Sequence, residues 1–164
     1  MSRRTLAALA AVMLALPVAA HAEDDCKKDS APKYPAAEYT VRYEIKLKNK
    51  SKETLLADFY ATHTDLKTKV TGASKKVTSK ALSPGQGVTV IDNVPKGTEV
   101  KVETKLKSYD GTMTFDPTSF SVKNVSGGGR IYFYAGPFDS KITCDRRYGS
   151  DSHRWFVNYV VNSK

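Results

Sequence analysis

Tyr39-Thr40-Val41-Arg42-Tyr43-Glu44-Ile45-Lys46-Leu47-Lys48 alternates without a break. Tyr39, Val41, Tyr43, Ile45 and Leu47 fall on one side; Thr40, Arg42, Glu44, Lys46 and Lys48 fall on the other. Side chains that repeat every two residues along an extended backbone lie on opposite faces of a strand. β-Branched and aromatic residues on the apolar side suit a pleated, half-buried surface. The stretch therefore reads as a strand with one face in a core and a charged face in solvent.

The same pattern continues downstream. Leu55, Ala57, Phe59 and Ala61 alternate with Leu56, Asp58, Tyr60 and Thr62, and Val100, Val102, Thr104 and Leu106 alternate with Lys101, Glu103, Lys105 and Lys107. Lys67 to Lys80 is rich in Lys, Thr and Ser and reads as an exposed strand and loop, its lysines suited to an edge where charge discourages unwanted pairing. Shorter strands are expected at Gly87 to Ile91, Met113 to Phe115, Phe120 to Val125, Ile131 to Tyr134, Asp139 to Cys144 and Trp155 to Val161. Turn residues separate them: Ser83-Pro84-Gly85, Asn93 to Gly97, Asp110-Gly111, Gly127-Gly128-Gly129 and Gly136-Pro137.

No convincing amphipathic helix interrupts the series. Eight or nine short strands with regularly spaced turns predict an all-β fold, an antiparallel β-sandwich of immunoglobulin-like pattern. A small closed β-barrel is the alternative. The likeness to immunoglobulin domains is one of pattern alone, because the single Trp155 follows both cysteines instead of lying between them.

Upstream, Met1-Ser2-Arg3-Arg4 is basic, Thr5 to Ala20 is apolar, and Ala20-His21-Ala22 precedes Glu23-Asp24-Asp25. These are the three parts of a secretory signal peptide cleaved after Ala22. The apolar run is short for a membrane span. The expected organisation is thus a signal peptide at 1–22, an irregular arm at 23–38 carrying Pro32 and Pro35, and one β-domain at 39–164. The expected location is the periplasm or the extracellular medium.

Export bears on the cysteines. Cys26 and Cys144 are the two in the chain, and in an oxidising compartment an even count reads as a bridge. Such a bridge closes a long loop, and chain entropy then favours the fold by about 4–5 kcal/mol.

Lys and Arg number 26 against 17 Asp and Glu, a formal net charge of +9. The excess favours anionic partners: lipid headgroups, a polyanionic glycan or an acidic protein face. Nucleic acid is disfavoured, because the charge is mostly dispersed lysine and lacks the clustered arginine forks that read phosphate. Asn49-Lys50-Ser51 and Asn124-Val125-Ser126 match the glycosylation sequon, which matters only in a eukaryotic secretory pathway.

No motif carries recognised chemistry, and no cofactor is implied. His63 with Asp65, and His153 with Asp151, could share a metal by strand spacing, but no third ligand is visible. His63 and His153 are the general acid–base candidates if the chain is a secreted hydrolase of ribonuclease type. The triple glycine precedes a strand, whereas a phosphate cradle needs a helix N-terminus.

The richest stretch is Cys144-Asp145-Arg146-Arg147-Tyr148-Gly149-Ser150-Asp151-Ser152-His153-Arg154-Trp155. Read as a long polar loop, it offers Arg146, Arg147, Tyr148, Arg154 and Trp155, residue types enriched at interface hot spots. The expected function is a non-enzymatic binding module of inhibitor, immunity or adhesion type, recognising a protein or an anionic surface outside the cytoplasm. A membrane-active, lipid-binding β-sandwich is the first alternative, with Thr64 to Lys80 as a segment able to rearrange, and the hydrolase is the second.

Overall fold

The computed structural model describes residues 19–20, 40–125, 128–134, 138–147 and 152–162, with the side chains of 19–20, 128–130, 133–134, 145–147 and 152 outside that description. Its elements are strands: β1 (Ala19–Ala20), β2 (Thr40–Lys50), β3 (Leu55–Asp65), β4 (Lys75–Leu82), β5 (Gly87–Val94), β6 (Thr98–Ser108), β7 (Thr118–Val125), β8 (Gly128–Tyr134), β9 (Asp139–Arg147) and β10 (Ser152–Asn162).

They form two layers. The larger sheet runs β1-β8-β7-β6-β3-β4 and the smaller β5-β2-β10-β9. The order does not close on itself, so the fold is a sandwich and not a barrel. β1 is a two-residue pairing of Ala19 and Ala20 with Tyr134 and Phe133 at the rim of β8.

One pairing departs from the antiparallel expectation. β2 and β10 are parallel over their whole length, from Thr40 opposite Ser152 to Lys50 opposite Asn162. Alternation shows that each strand has one apolar face but carries no information about the direction of its neighbour, so the sequence could not reveal this.

The core is the set of inward positions. Val41, Tyr43, Ile45 and Leu47 on β2 meet Leu55, Ala57 and Phe59 on β3 and Val100, Val102 and Leu106 on β6. β10 adds Trp155, Val157, Tyr159 and Val161. Each such large side chain contributes roughly 1.5–3 kcal/mol by leaving water. Tyr43 from the smaller sheet meets Phe120 from the larger edge-on, ring centroids 5.5 Å apart, a geometry that places the positive ring edge on a negative face. Burial above all, with the Asp92 carboxylate beside it, pushes the Tyr43 phenol well above its ordinary value. Burial does the same to Tyr159.

These phenols make an alkaline prediction. A group whose pKa is raised on folding stabilises the fold below its unfolded pKa, here 10.0, and that stability is lost as pH rises beyond it. We expect stability to fall above about pH 10, with the Tyr43 and Tyr159 phenolates appearing only as the fold is lost. Phenolate absorbance followed beside circular dichroism tests this. Ionisation of all nine tyrosines with the dichroism intact would contradict their burial.

Two buried asparagines hold the crossings between layers. The chain passes from β4 in the larger sheet to β5 in the smaller, then back to β6. Asn49 on β2 donates from Nδ2 to the carbonyls of Leu82 and Glu53, each at 2.8 Å, and its own carbonyl accepts from the Gly85 amide at 2.8 Å. Asn124 on β7 donates from Nδ2 to the Val94 carbonyl at 2.8 Å, and its carbonyl accepts from the Gly97 amide at 3.0 Å.

The two braces have the same layout. A carbonyl at the strand end and a glycine amide three residues on are both held by one asparagine of the facing layer. Both glycines have positive φ, 80° at Gly85 and 71° at Gly97, a region where a side chain is strained. Asn49 and Asn124 are the sequon asparagines. They are 0% and 6% exposed, so neither amide is offered to a glycosylating enzyme in the folded domain.

The expected turns at Ser83 to Gly85 and Pro95 to Gly97 form, Gly128 and Gly129 belong to β8, and Gly127 and Gly136-Pro137 lie outside the described residues. The Gln86 amide bonds to the Ser83 carbonyl and the Thr98 amide to that of Pro95. At Asp110-Gly111 the chain doubles back, but Met113 to Phe115 makes only the isolated bridge Lys107–Thr114 before β7. β4 is exposed except at the half-buried Thr78 and the buried Leu82 and forms an edge of the larger sheet, as its lysines lead one to expect.

Candidate functional site

The stretch from Cys144 to Trp155 is not one long loop. β9 extends to Arg147 and β10 starts at Ser152, with those two residues paired. Arg146, Arg147 and Arg154 therefore stand on strands. The physical reason is that alternation persists through the polar residues: Cys144 is opposite Trp155, and Arg146 is opposite His153. The side chains of Arg146 and Arg147, and Tyr148 altogether, lie outside the described residues.

Trp155, one of the candidate binding residues, lies in the core. It is 3% exposed, tilted against His153 at 5.0 Å between ring centroids, and has no area to offer a partner. Arg154 points the other way. It is half-buried on the outer face of the smaller sheet, beside Arg42 in register. Its Nε is shielded from solvent and has no hydrogen-bond partner among the described residues.

Cys144 is half-buried and packs against the core, and no cysteine among the described residues is free. Cys26 lies outside the described residues.

The histidines are placed differently from one another. His153 is 1% exposed inside the sandwich, where a dissolved substrate does not reach it. His63 is exposed near the end of β3, in the other layer. Its neighbour Asp65 is a turn cap: Oδ1 accepts from the amides of Lys67 at 2.9 Å and Thr68 at 2.7 Å, and from the Thr68 hydroxyl. The bonds from Thr68 hold that carboxyl below its usual range. This cap and the Thr64–Thr71 hydroxyl contact at 3.0 Å order the start of the Thr64 to Lys80 segment. Among the described residues, no group of three His, Cys, Asp or Glu is set to hold a metal.

Comparison with family models, curated proteins and solved structures finds no match. The surfaces themselves then carry the reading.

The two outer faces differ in how their charge is balanced. On the outer face of the larger sheet three carboxylates each have a lysine: Lys76 to Asp58 at 3.0 Å, Lys105 to Glu103 at 3.0 Å and Lys123 to Glu99 at 3.5 Å. Lys76 and Lys105 also flank the Tyr60 ring, at 5.4 Å and 5.1 Å from its centroid. Lys123 lies 4.7 Å from that of Tyr132. The hydrogen bond from Ser79 and the bond from Lys76 hold the Asp58 carboxyl below its usual range. Lys101 and Lys107 face outward on this sheet as well, so its lysines also outnumber its carboxylates.

On the smaller sheet, Arg42, Lys46, Lys48 and Lys50 line the outer side of β2, with Lys141 and Arg154 on the strands beyond. Facing outward with them are Glu44, paired to Lys46 at 3.1 Å, and Asp139, which accepts a hydrogen bond from Asn162. Lys48, Lys50 and Lys141 have no ion-pair partner among the described residues.

Sequence reasoning saw these β2 side chains only as a solvated face. The signal that could have singled them out is the i, i+2 run Lys46, Lys48, Lys50, which alternation alone places on one side.

Proposed function

We propose that the chain is an exported, non-enzymatic binding module that recognises an anionic surface outside the cytoplasm. The observation that supports it is the cationic outer face of the smaller sheet, where Lys48, Lys50 and Lys141 have no ion-pair partner among the described residues. A lysine without a partner costs little in water, but a row of them on one face raises a positive potential that concentrates anions. Arg154 adds a half-buried guanidinium whose Nε has no acceptor among the described residues, a cost that a bound anion would offset.

Export belongs to the same proposal. The leader is removed after Ala22, the mature chain starts at Glu23, and Cys26 is bridged to Cys144 in the periplasm or medium. The bridge would fasten the arm to β9, the edge of the cationic sheet.

The test is a pull-down with the exported protein, first checked by intact mass for a Glu23 start and one disulfide. It is exposed to native envelope extract and culture medium at near-physiological salt, and eluates are analysed for protein, lipid and glycan. The expected result is an anionic component that added salt releases. Capture of nothing, or capture of a component indifferent to salt, would remove the reading.

A further inference from the structure

The outer face of the smaller sheet is not uniformly polar. Ile91 on β5 is 55% exposed and shares a cross-strand row with Glu44 and the half-buried Phe156. Two rows along, Lys48 stands beside the half-buried Val160. Apolar side chains are thus set among the cations, on a surface built from strands about 4.8 Å apart, with successive lysines of β2 about 6.8 Å apart.

We propose that this face is a docking surface for an anionic lipid bilayer, with the cations at the phosphate headgroups and Ile91 at the apolar boundary beneath them. This rests on the anionic-surface reading above and names its site and its ligand. Three features favour a bilayer over the other anionic partners.

The first is the joining of charge with exposed apolar area. A soluble polyanion leaves Ile91 in water, whereas a membrane interface accepts both kinds of side chain. The second is the residue type. The face bears mainly lysines, compact point charges that match a fluid array of headgroups, while a fixed set of carboxylates on a protein is better matched by arginine forks. The third is Arg154, beside Arg42 in register. Two neighbouring guanidiniums, one whose Nε has no hydrogen-bond partner among the described residues, make a place for a phosphate oxyanion. The register neighbour of Arg154 on the other side is Asp145, whose side chain is outside the described residues.

The experiment uses residues 23–164 with the disulfide intact and three probes: phosphatidylcholine vesicles, vesicles of phosphatidylcholine with phosphatidylglycerol, and soluble polyphosphate. Co-sedimentation with the anionic vesicles alone is expected. The double reversal Lys48→Glu/Lys50→Glu should weaken it at least about tenfold, and Ile91→Ser by about threefold to tenfold. The reversal Lys101→Glu/Lys107→Glu on the opposite sheet should leave it within about twofold. Melting curves confirm that each variant is folded.

The outcomes separate the two levels. If neither anionic vesicles nor polyphosphate bind, both the docking proposal and the anionic-surface reading fall. If binding occurs but only the opposite-face reversal weakens it, the assignment of this face is overturned while the anionic reading stands. If polyphosphate binds as well as vesicles and Ile91→Ser changes nothing, the bilayer is overturned in favour of a soluble polyanion.

Discussion

Asn49→Asp is expected to destabilise the domain by about 3–5 kcal/mol, although it changes one amide to a carboxyl of the same shape. The Nδ2 group now donates to two carbonyls, those of Leu82 and Glu53, at a site with 0% exposure. A carboxylate there has no hydrogen to give. Two carbonyl oxygens would face a third negative oxygen in a place from which water is excluded, and each loses its partner. A buried acceptor left unpaired costs about 1–3 kcal/mol by itself. Protonating the carboxyl restores one donor, so the variant should recover part of its stability at low pH. Its pKa is raised in the fold, so that stability is present in acid and lost as pH rises. Chemical denaturation at acidic and neutral pH measures both effects. A loss under about 1 kcal/mol would mean that the Asn49 brace does not hold the β4–β5 crossing.

Trp155→Ala should cost about 3–5 kcal/mol, the range for emptying a large aromatic site in a packed core. The indole lies between Cys144 on β9 and Tyr43 on β2 in register, with the His153 ring at 5.0 Å. Removing it opens a cavity where the central strand of the smaller sheet meets the core. Trp155→Phe separates volume from chemistry. The indole nitrogen is buried without a hydrogen-bond partner among the described residues, so phenylalanine deletes an unpaired donor while keeping much of the bulk. That variant should lose no more than about 1.5 kcal/mol. Denaturant melts measure stability, and binding to the anionic target, measured well below the melting point, should be unchanged in both. Affinity lost in a folded Trp155→Phe variant would return Trp155 to the binding surface.

The strands were legible because alternation reports which side of a residue is dry. Tyr39 to Lys48 and Val100 to Lys107 announce their faces, and Pro and Gly at Pro84-Gly85 and Pro95 to Gly97 announce the turns. What alternation does not encode is partnership. It left hidden the parallel β2–β10 pairing and the matched asparagine braces, whose donors and acceptors are far apart in sequence. Residue type, by contrast, misled at Cys144 to Trp155. A polar run reads as loop when each residue is judged by type, yet near a sheet end polar side chains occupy strand positions at little cost. Trp155 illustrates the limit for sites. Tryptophan is enriched at interfaces and is also highly buried on average, so its type cannot decide between them. The cationic column of β2 was written plainly in Lys46, Lys48 and Lys50, but only the pairing order shows that Arg154 and Lys141 lie on the same face.

The placement of β10 bears on the order of events as the chain is made and moved. The strand nearest the C-terminal end fills a central slot between β2 and β9 and supplies five buried side chains, His153, Trp155, Val157, Tyr159 and Val161. Until it arrives, β2 lacks a neighbour along one whole edge and the smaller layer is two unjoined pieces. Contacts between segments so distant in sequence form slowly, because the loop between them must close first. A chain wired in this way cannot lock early. In the export proposed above, such a chain would stay threadable through a narrow channel until residues 152–162 have passed, and would close on the far side.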